Sequence, residues 1–267
     1  LLSRRQRQMC IRDSCYTPKF DPSYLYYPLG EWPAFAPTKQ LADSYYMNDG
    51  LPISKSPKYD AQNPHMNRDP RFAASLFYPG CQYLNFMIKA PDPEVSKDSI
   101  QIPSWLLNST GYRSKKHFDG TLTNAEDEGR DTYFMRYAEI LLNYAEALNE
   151  SGATKTDVLT WVDLIRERAG LKGVEESWDT YTNNKKYETI DGRREIIQQE
   201  RGIELAFEAQ RFWDLRRWKL AFQEQNKPIT GWNTQYSTNE DYYTEQLIYT
   251  QELSLIHISE PTRLRRI

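Results

Sequence analysis

Apolar residues recur at helical spacing in the second half of this chain, and for only short runs before it. Phe134, Tyr137, Ala138, Leu141, Ala145 and Leu148 follow the i, i+3, i+4 rule, which predicts a helix capped at Asp131 and closed by Gly152. A second helix is predicted after Thr154, whose spacing to Asp157 fits a capping box. It runs through Val158, Trp161, Val162, Ile165 and Ala169 and stops at Gly170, with Arg166 and Arg168 suited to its last turn. So short a connection makes the two antiparallel, and Ala138, Ala145 and Ala169 let them approach closely, as in a tetratricopeptide-like hairpin. A third helical stretch is predicted from Arg193 to Leu220, capped by Asp191. Ile196, Ile203 and Phe207 form its stripe, and Leu205, Phe212, Leu215 and Trp218 widen the apolar surface until several neighbours are needed to cover it. Its charges include Glu208 with Arg211 and Asp214 with Arg217 at pairing distance, which reads as a scaffold locked by salt bridges rather than as catalytic machinery. One hairpin cannot bury its own faces, so this third stretch or further repeats must cover it.

Elsewhere the period is lost. From Tyr16 to about Arg130 the chain is rich in Pro, Gly, Asn, Asp and Tyr, which predicts long structured loops, a few short strands and one helical turn near Gln40 to Tyr46. Lys172 to Ile190 reads as a variable loop carrying Trp178 and Tyr181, and residues 223–253 as a polar, Tyr-rich loop. The fold class that follows is mostly α: a tetratricopeptide-like helical scaffold bearing long irregular loops and a few short strands. Within the first loops, Pro70 pushes Asp69 out of the helical region, where Arg68 and Arg71 are placed to grip its carboxylate as a structural clamp.

Composition sharpens this picture. With 39% hydrophobic and 13% aromatic residues the chain can build a core, and its 19 Tyr, 7 Trp and 15 Pro favour ordered aromatic-lined loops. A net charge of −3 argues against nucleic acid as a partner. Residues 1–14 and 254–267 are Arg-rich, aperiodic and similar to translated adapter sequence, so both read as flanks of non-native character. They hold seven Arg against one Asp and one Glu, which leaves the remainder at −8. Cys10, Cys15 and Cys81 form no disulfide framework or CxxC motif, and Cys81 is expected as a buried thiol. His65, His117 and His257 are scattered, and the acidic run Asp119 to Asp131 lacks calcium-loop spacing, so neither metal nor cofactor is expected.

The loop aromatics carry the candidate chemistry. A phenol or indole face can stack on the C–H face of a sugar ring while flanking polar groups hold the hydroxyls, although a single aromatic is more often a core residue. By position, Trp32 and Tyr27 are the first candidates for such stacking, with Trp105 and Tyr112 next.

Seven motifs in order also carry a likeness: MNDG (47–50), NRDPRF (67–72), YPG (78–80), TGY with KK (110–116), RYAEILLNYAEALN (136–149), IRERAGL (165–171) and ERGIELAFEAQRFWDLRRW (200–218). The chain resembles the SusD/RagB family of outer-membrane nutrient-binding lipoproteins from about Tyr24 to Tyr249, as the C-terminal half of such a protein. The resemblance implies an outward-facing, lipid-anchored protein that binds oligosaccharide or polysaccharide without catalysis and delivers it to a SusC-like, TonB-dependent transporter. It also implies an anchoring cysteine upstream, and Cys15, with no apolar run before it, is not that residue. The expected organisation is one domain between the flanks. Its loop-rich ligand-facing part is 15–130, its helical scaffold 131–222 and its loop-rich C-terminal part 223–253.

Two other readings compete. A tetratricopeptide adaptor would take a partner protein as its main ligand, and a related binder would capture a peptide-type nutrient. An enzyme ranks third: Glu139 and Glu146 lie seven residues apart on one helical face, with no second carboxylate placed across a cleft as glycoside hydrolysis requires.

Overall fold

The computed structural model describes residues 36–83, 86–88, 99–100, 110–116, 135–233 and 239–250. The flanks, Trp32, Tyr27 and Trp105 lie outside these residues.

Helical period produces helices where it was strongest. Helix α1 spans Lys39–Ser44 and α2 spans Pro70–Ser75; between residues 76 and 114 come strands β1 (Leu76–Phe77), β2 (Gln82–Tyr83), β3 (Phe86–Ile88), β4 (Ser99–Ile100) and β5 (Arg113–Ser114). The helical frame follows as α3 (Tyr137–Glu150), α4 (Lys155–Arg168), α5 (Val174–Tyr181), α6 (Ile190–Glu204), α7 (Gln210–Arg217) and α8 (Ala221–Gln225). Strands β6 (Ile229–Trp232) and β7 (Glu245–Tyr249) pair antiparallel around α9 (Asn239–Tyr242). Among the described residues the strands are few and short, and the fold is mostly helical.

Helices α3 and α4 form the expected antiparallel pair, and α6 lies across it. Ala145, Val158, Leu159, Val162, Ile196 and Ile197 share one core with Leu51 from the loop region, while Ala138, Leu142 and Ile165 meet Leu205 in another. Burying each such aliphatic side chain contributes roughly 1.5–3 kcal/mol, so these interlocking faces hold the frame.

Several boundaries differ from the pattern. Helix α3 begins at Tyr137 with Arg136 as an extended N-cap, not at Asp131. The Arg136 guanidinium is drawn away to Glu204 and Glu208 at 2.9 and 2.7 Å, which fixes the entry of the chain. Thr154 does cap α4, accepting from the Asp157 amide at 3.2 Å and donating to its carboxylate at 2.7 Å. The segment read as a variable loop contains α5, because Trp178 is buried between α4 and α6. Thr189, rather than Asp191, caps α6.

The long third stretch is two helices. Helix α6 stops at Glu204, and Phe207 and Ala209 adopt left-handed backbone (φ 65° and 61°) before α7 starts. Lys116 and Arg136 supply the reason: both donate to the Glu204 carbonyl, at 2.8 and 2.9 Å, so this terminal acceptor is satisfied without another turn.

Loops dock on the frame through specific groups. Gly50 sits at φ +83°, where an added Cβ would lie 2.2 Å from Arg166 Nη2, and its carbonyl accepts from that nitrogen at 2.9 Å. Asp69 caps α2, and Arg71 grips its carboxylate while also reaching Glu200 and Glu204 on α6. Arg68 departs from the expected two-arginine clamp: it donates to the carbonyls of Pro64, Ala42 and Tyr45 instead. Cys81 is a buried free thiol, as expected.

Candidate functional site

The loop-rich segments converge on one aromatic cluster beside the frame. Residues 59–69 bring His65; the turn after β1 brings Tyr78; the TGY turn before β5 brings Tyr112; β6 brings Trp232; and the turn after α9 brings Tyr243. The His65 ring lies 4.7 Å from Tyr78, 5.6 Å from both Tyr112 and Tyr243, and 6.4 Å from Trp232. Phe72 lies 4.9 Å from Tyr78, and Trp232 lies 5.5 Å from Tyr243 in an edge-to-face contact. Such pairs contribute about 0.5–1.5 kcal/mol each beyond burial, so the cluster is a rigid platform.

Local sequence explains the convergence. Gly111 adopts φ +78°, and a Cβ there would meet the Tyr242 hydroxyl at 2.6 Å and the Trp232 ring at 3.1 Å, so the TGY turn can close only on glycine. The Trp232 amide then donates to the Thr110 carbonyl at 3.2 Å, tying β6 to the turn.

Polar groups inside the cluster form a directed chain. Trp232 Nε1 donates to the Tyr112 hydroxyl at 2.8 Å, and that hydroxyl lies 3.2 Å from His65 Nε2. A neutral imidazole carries one unprotonated nitrogen, and in the tautomer that leaves Nε2 bare the phenol donates to it. The electrostatics agree: burial first, then the Arg68 charge, bring the His65 pKa down to about 3, and it stays neutral at physiological pH. Burial also pushes the Tyr112 phenol well up, despite the Trp232 hydrogen bond that opposes it. Nearby cations are committed: Arg68 to backbone carbonyls, Lys39 to Asp43 at 2.5 Å and Glu245 at 3.3 Å with Trp232 beneath it.

Tyr112 therefore corrects one expectation. It is 1% exposed, its ring packed under His65 and its hydroxyl used internally, so it forms the floor of the platform and offers no free ring face. His65, Tyr78 and Tyr243 are the part-exposed members, with Met66 exposed beside them. None of these was named as a stacking candidate from sequence. The dispersed positions 65, 78, 112, 232 and 243 carry no shared spacing, and only the TGY and YPG turns hinted that aromatics sit at tight bends.

The charged network is a separate assembly. Glu204 receives Arg168 at 2.5 Å, Arg136 at 2.9 Å and Arg71 at 3.1 Å, and Glu208 receives Arg136 and Lys116. Burial is the largest single influence on Glu204 and pushes its pKa up, but the three arginines together outweigh it and hold the carboxyl at about 2. Asp214 pairs with Arg217 as expected, while Glu208 and Arg211 do not pair: Glu208 is taken by Arg136 and Arg211 faces Glu224. Glu146 accepts from Arg217 and from Trp218 Nε1 at 2.7 Å, and Glu139 faces Gln210 at 3.4 Å, so both carboxylates are spent on joining α3 to α7. Among the described residues no three His, Cys, Asp or Glu side chains gather in a metal-holding arrangement.

Among the described residues, then, a helical frame holds an aromatic cluster at the junction of its loops. Residues 2–256 match the model of the SusD family, and the chain belongs to that family. It is similar to a SusD-like carbohydrate binding protein from Bacteroides fragilis, with 30% identity and a TM-score of 0.57 over 73% of this chain and 37% of that one. A second SusD-like protein from the same organism matches at 26% identity and TM-score 0.61, over 87% of this chain and 45% of the other. SusD-like protein P2 of Formosa agariphila is 41% identical over 105 residues, which are 39% of this chain and 20% of that protein. The chain thus spans less than half the length of each of these relatives.

Proposed function

We propose that this protein binds glycans at the outer surface of the outer membrane, without catalysis, and hands them to a SusC-like, TonB-dependent transporter. The observation that carries the reading is membership of the SusD family, with a solved relative described as a carbohydrate binding protein. The aromatic platform supports it. Tyr78, His65 and Tyr243 stand part-exposed on a buried aromatic base, and a ring face left open among them is what a sugar C–H face stacks against. In this reading Trp32, Tyr27 and Trp105 are further stacking residues on the loop-rich side, and the α3–α4 pair belongs to a tetratricopeptide-like scaffold. The surface location and lipid anchor follow from the family resemblance; among the described residues no helix is long and apolar enough to cross a membrane.

Affinity electrophoresis in gels containing single polysaccharides tests the reading with the native-length protein. Retardation by at least one glycan is expected. It should weaken about 5–150-fold in apparent affinity in a Trp32→Ala, Tyr27→Ala, Trp105→Ala triple variant, on roughly 1–3 kcal/mol of lost stacking. An unchanged mobility shift in that variant would sink those three positions, and absence of retardation across neutral and acidic glycans would favour a peptide or protein ligand.

A further inference from the structure

Lys39 is the first residue of α1 and is 6% exposed, a poor place for an ammonium group. Burial strips its water, and the free amides of a first helical turn carry partial positive charge of their own. Helix α1 has no need of it: Thr38 caps the helix, accepting from the Leu41 amide at 3.2 Å, and Ala42 supplies its contact with the core. What the ammonium reaches instead is tertiary. It lies 2.5 Å from Asp43 one turn along, 3.3 Å from Glu245 at the start of β7, and 4.8 Å from the centre of the Trp232 ring on β6. Trp232 and Glu245 stand opposite one another in the β6–β7 ladder, so their side chains leave the sheet on the same side, and Lys39 covers that side. Gln40 secures the placement, its amide donating to the Pro228 carbonyl and, at 3.2 Å, to the Thr230 hydroxyl. Burial, the largest influence on the Lys39 amine, lowers its pKa, but Asp43 and Glu245 outweigh it and the group keeps its charge.

We propose that Lys39 is a positioning residue of the binding platform: its ammonium, held by two carboxylates, fixes the plane of the Trp232 ring and through it the Tyr112 hydroxyl and the His65 ring. This role rests on the glycan-binding reading above. A cation over an indole is attracted to the negative face of the ring and not to its positive edge, so the ring is held flat against it. The backbone of Trp232 is fixed separately, its amide donating to the Thr110 carbonyl at 3.2 Å, so the ammonium adds orientation rather than attachment. In this orientation the indole Nε1 donates to the Tyr112 hydroxyl at 2.8 Å, that hydroxyl lies 3.2 Å from His65 Nε2, and Tyr243 packs edge-to-face on the indole at 5.5 Å. Turning the ring breaks the first of these bonds and shifts the two part-exposed neighbours, His65 and Tyr243. Lys39, itself almost wholly buried, acts on a ligand only through that ring.

Two variants of the native-length protein test this. Lys39→Met combined with Asp43→Asn removes the charge without leaving Asp43 as an unpaired carboxylate, and Lys39→Arg keeps the charge. Two quantities are read at a temperature where circular dichroism shows each variant folded. One is the nitrogen–proton NMR signal of the Trp232 indole, identified by its loss in Trp232→Phe; the other is retardation in gels containing soluble starch, xylan or pectin. In the double variant the indole signal is expected to shift and the affinity for the retarding polysaccharide to fall about 3–30-fold. In Lys39→Arg both are expected to stay close to the parent. A parental indole signal in the double variant, a shifted signal with parental affinity, or an arginine variant as weak as the double variant each overturns the proposal. If no polysaccharide retards the parent, the glycan reading fails instead, and the indole signal alone decides whether Lys39 holds the ring.

Discussion

His65 is a histidine that the fold keeps uncharged. In the unfolded chain it titrates near 6.5; in the folded chain burial and Arg68 bring it to about 3. Above pH 6.5 both states hold it neutral, and its contribution to stability is complete. As pH falls below 6.5 the unfolded state takes up a proton that the folded state refuses, and stability drops with a slope approaching about 1.4 kcal/mol per pH unit. His65→Gln should remove most of this slope between pH 6.5 and 5, read as a urea midpoint that no longer falls with acidification; a slope equal to that of the parent would show that other groups set it. Sequence singled out Tyr112 as an aromatic worth notice but could not tell which way it faced. Its direction is set by Trp232, 120 residues away, whose indole proton needs a buried acceptor.

At the scale of elements, the caps and periods that act within one turn were legible, and the break in the third stretch was not. Thr154 and Gly170 bound α4 through local hydrogen bonding and a φ of +81°. The end of α6 depends on Lys116 and Arg136, which no local signal connects to Glu204. Leu205, Ala206 and Phe207 would all extend a helix on propensity alone. At the far end of α7, Lys219 takes φ 61° as the residue that closes the helix, a conformation that costs an L-residue about 1–2 kcal/mol. Lys219→Gly should therefore stabilise the protein by about 0.5–1 kcal/mol in chemical denaturation, net of the entropy glycine adds to the unfolded chain. A loss of stability would mean that the Lys219 side chain holds something the helix end needs.

Across the molecule, the Glu204 network ties the loop side to the frame: Arg71 comes from α2, Arg136 from the entry to α3, and Arg168 from the last turn of α4. Glu204→Gln leaves three guanidinium groups short of one buried charge, and a cost of about 3–5 kcal/mol at pH 7 is expected in equilibrium unfolding. The pH dependence has a definite sign. The Glu204 carboxyl sits at about 2 in the folded protein and near 4.5 when unfolded, so its contribution is present above pH 4.5 and is lost as pH falls toward 2. The Gln variant should lack that acid-side loss, and an unchanged acid limb would show that Glu204 does not set it.

Local order was written in the sequence: helical periods at 137–150 and 155–168, a capping threonine, glycines at tight turns, an acidic remainder with aromatic-rich loops, and seven short motifs in family order. Those signals depend on residues within a few positions of one another, where backbone sterics and one turn of hydrogen bonding decide the outcome. Tertiary structure alone decided which aromatics became floor and which reached the surface, where α6 stopped, which arginine gripped Asp69, and which ring Lys39 lies over. Each of those rests on a partner tens to more than a hundred residues away, and a buried charge or hydroxyl goes wherever that partner is.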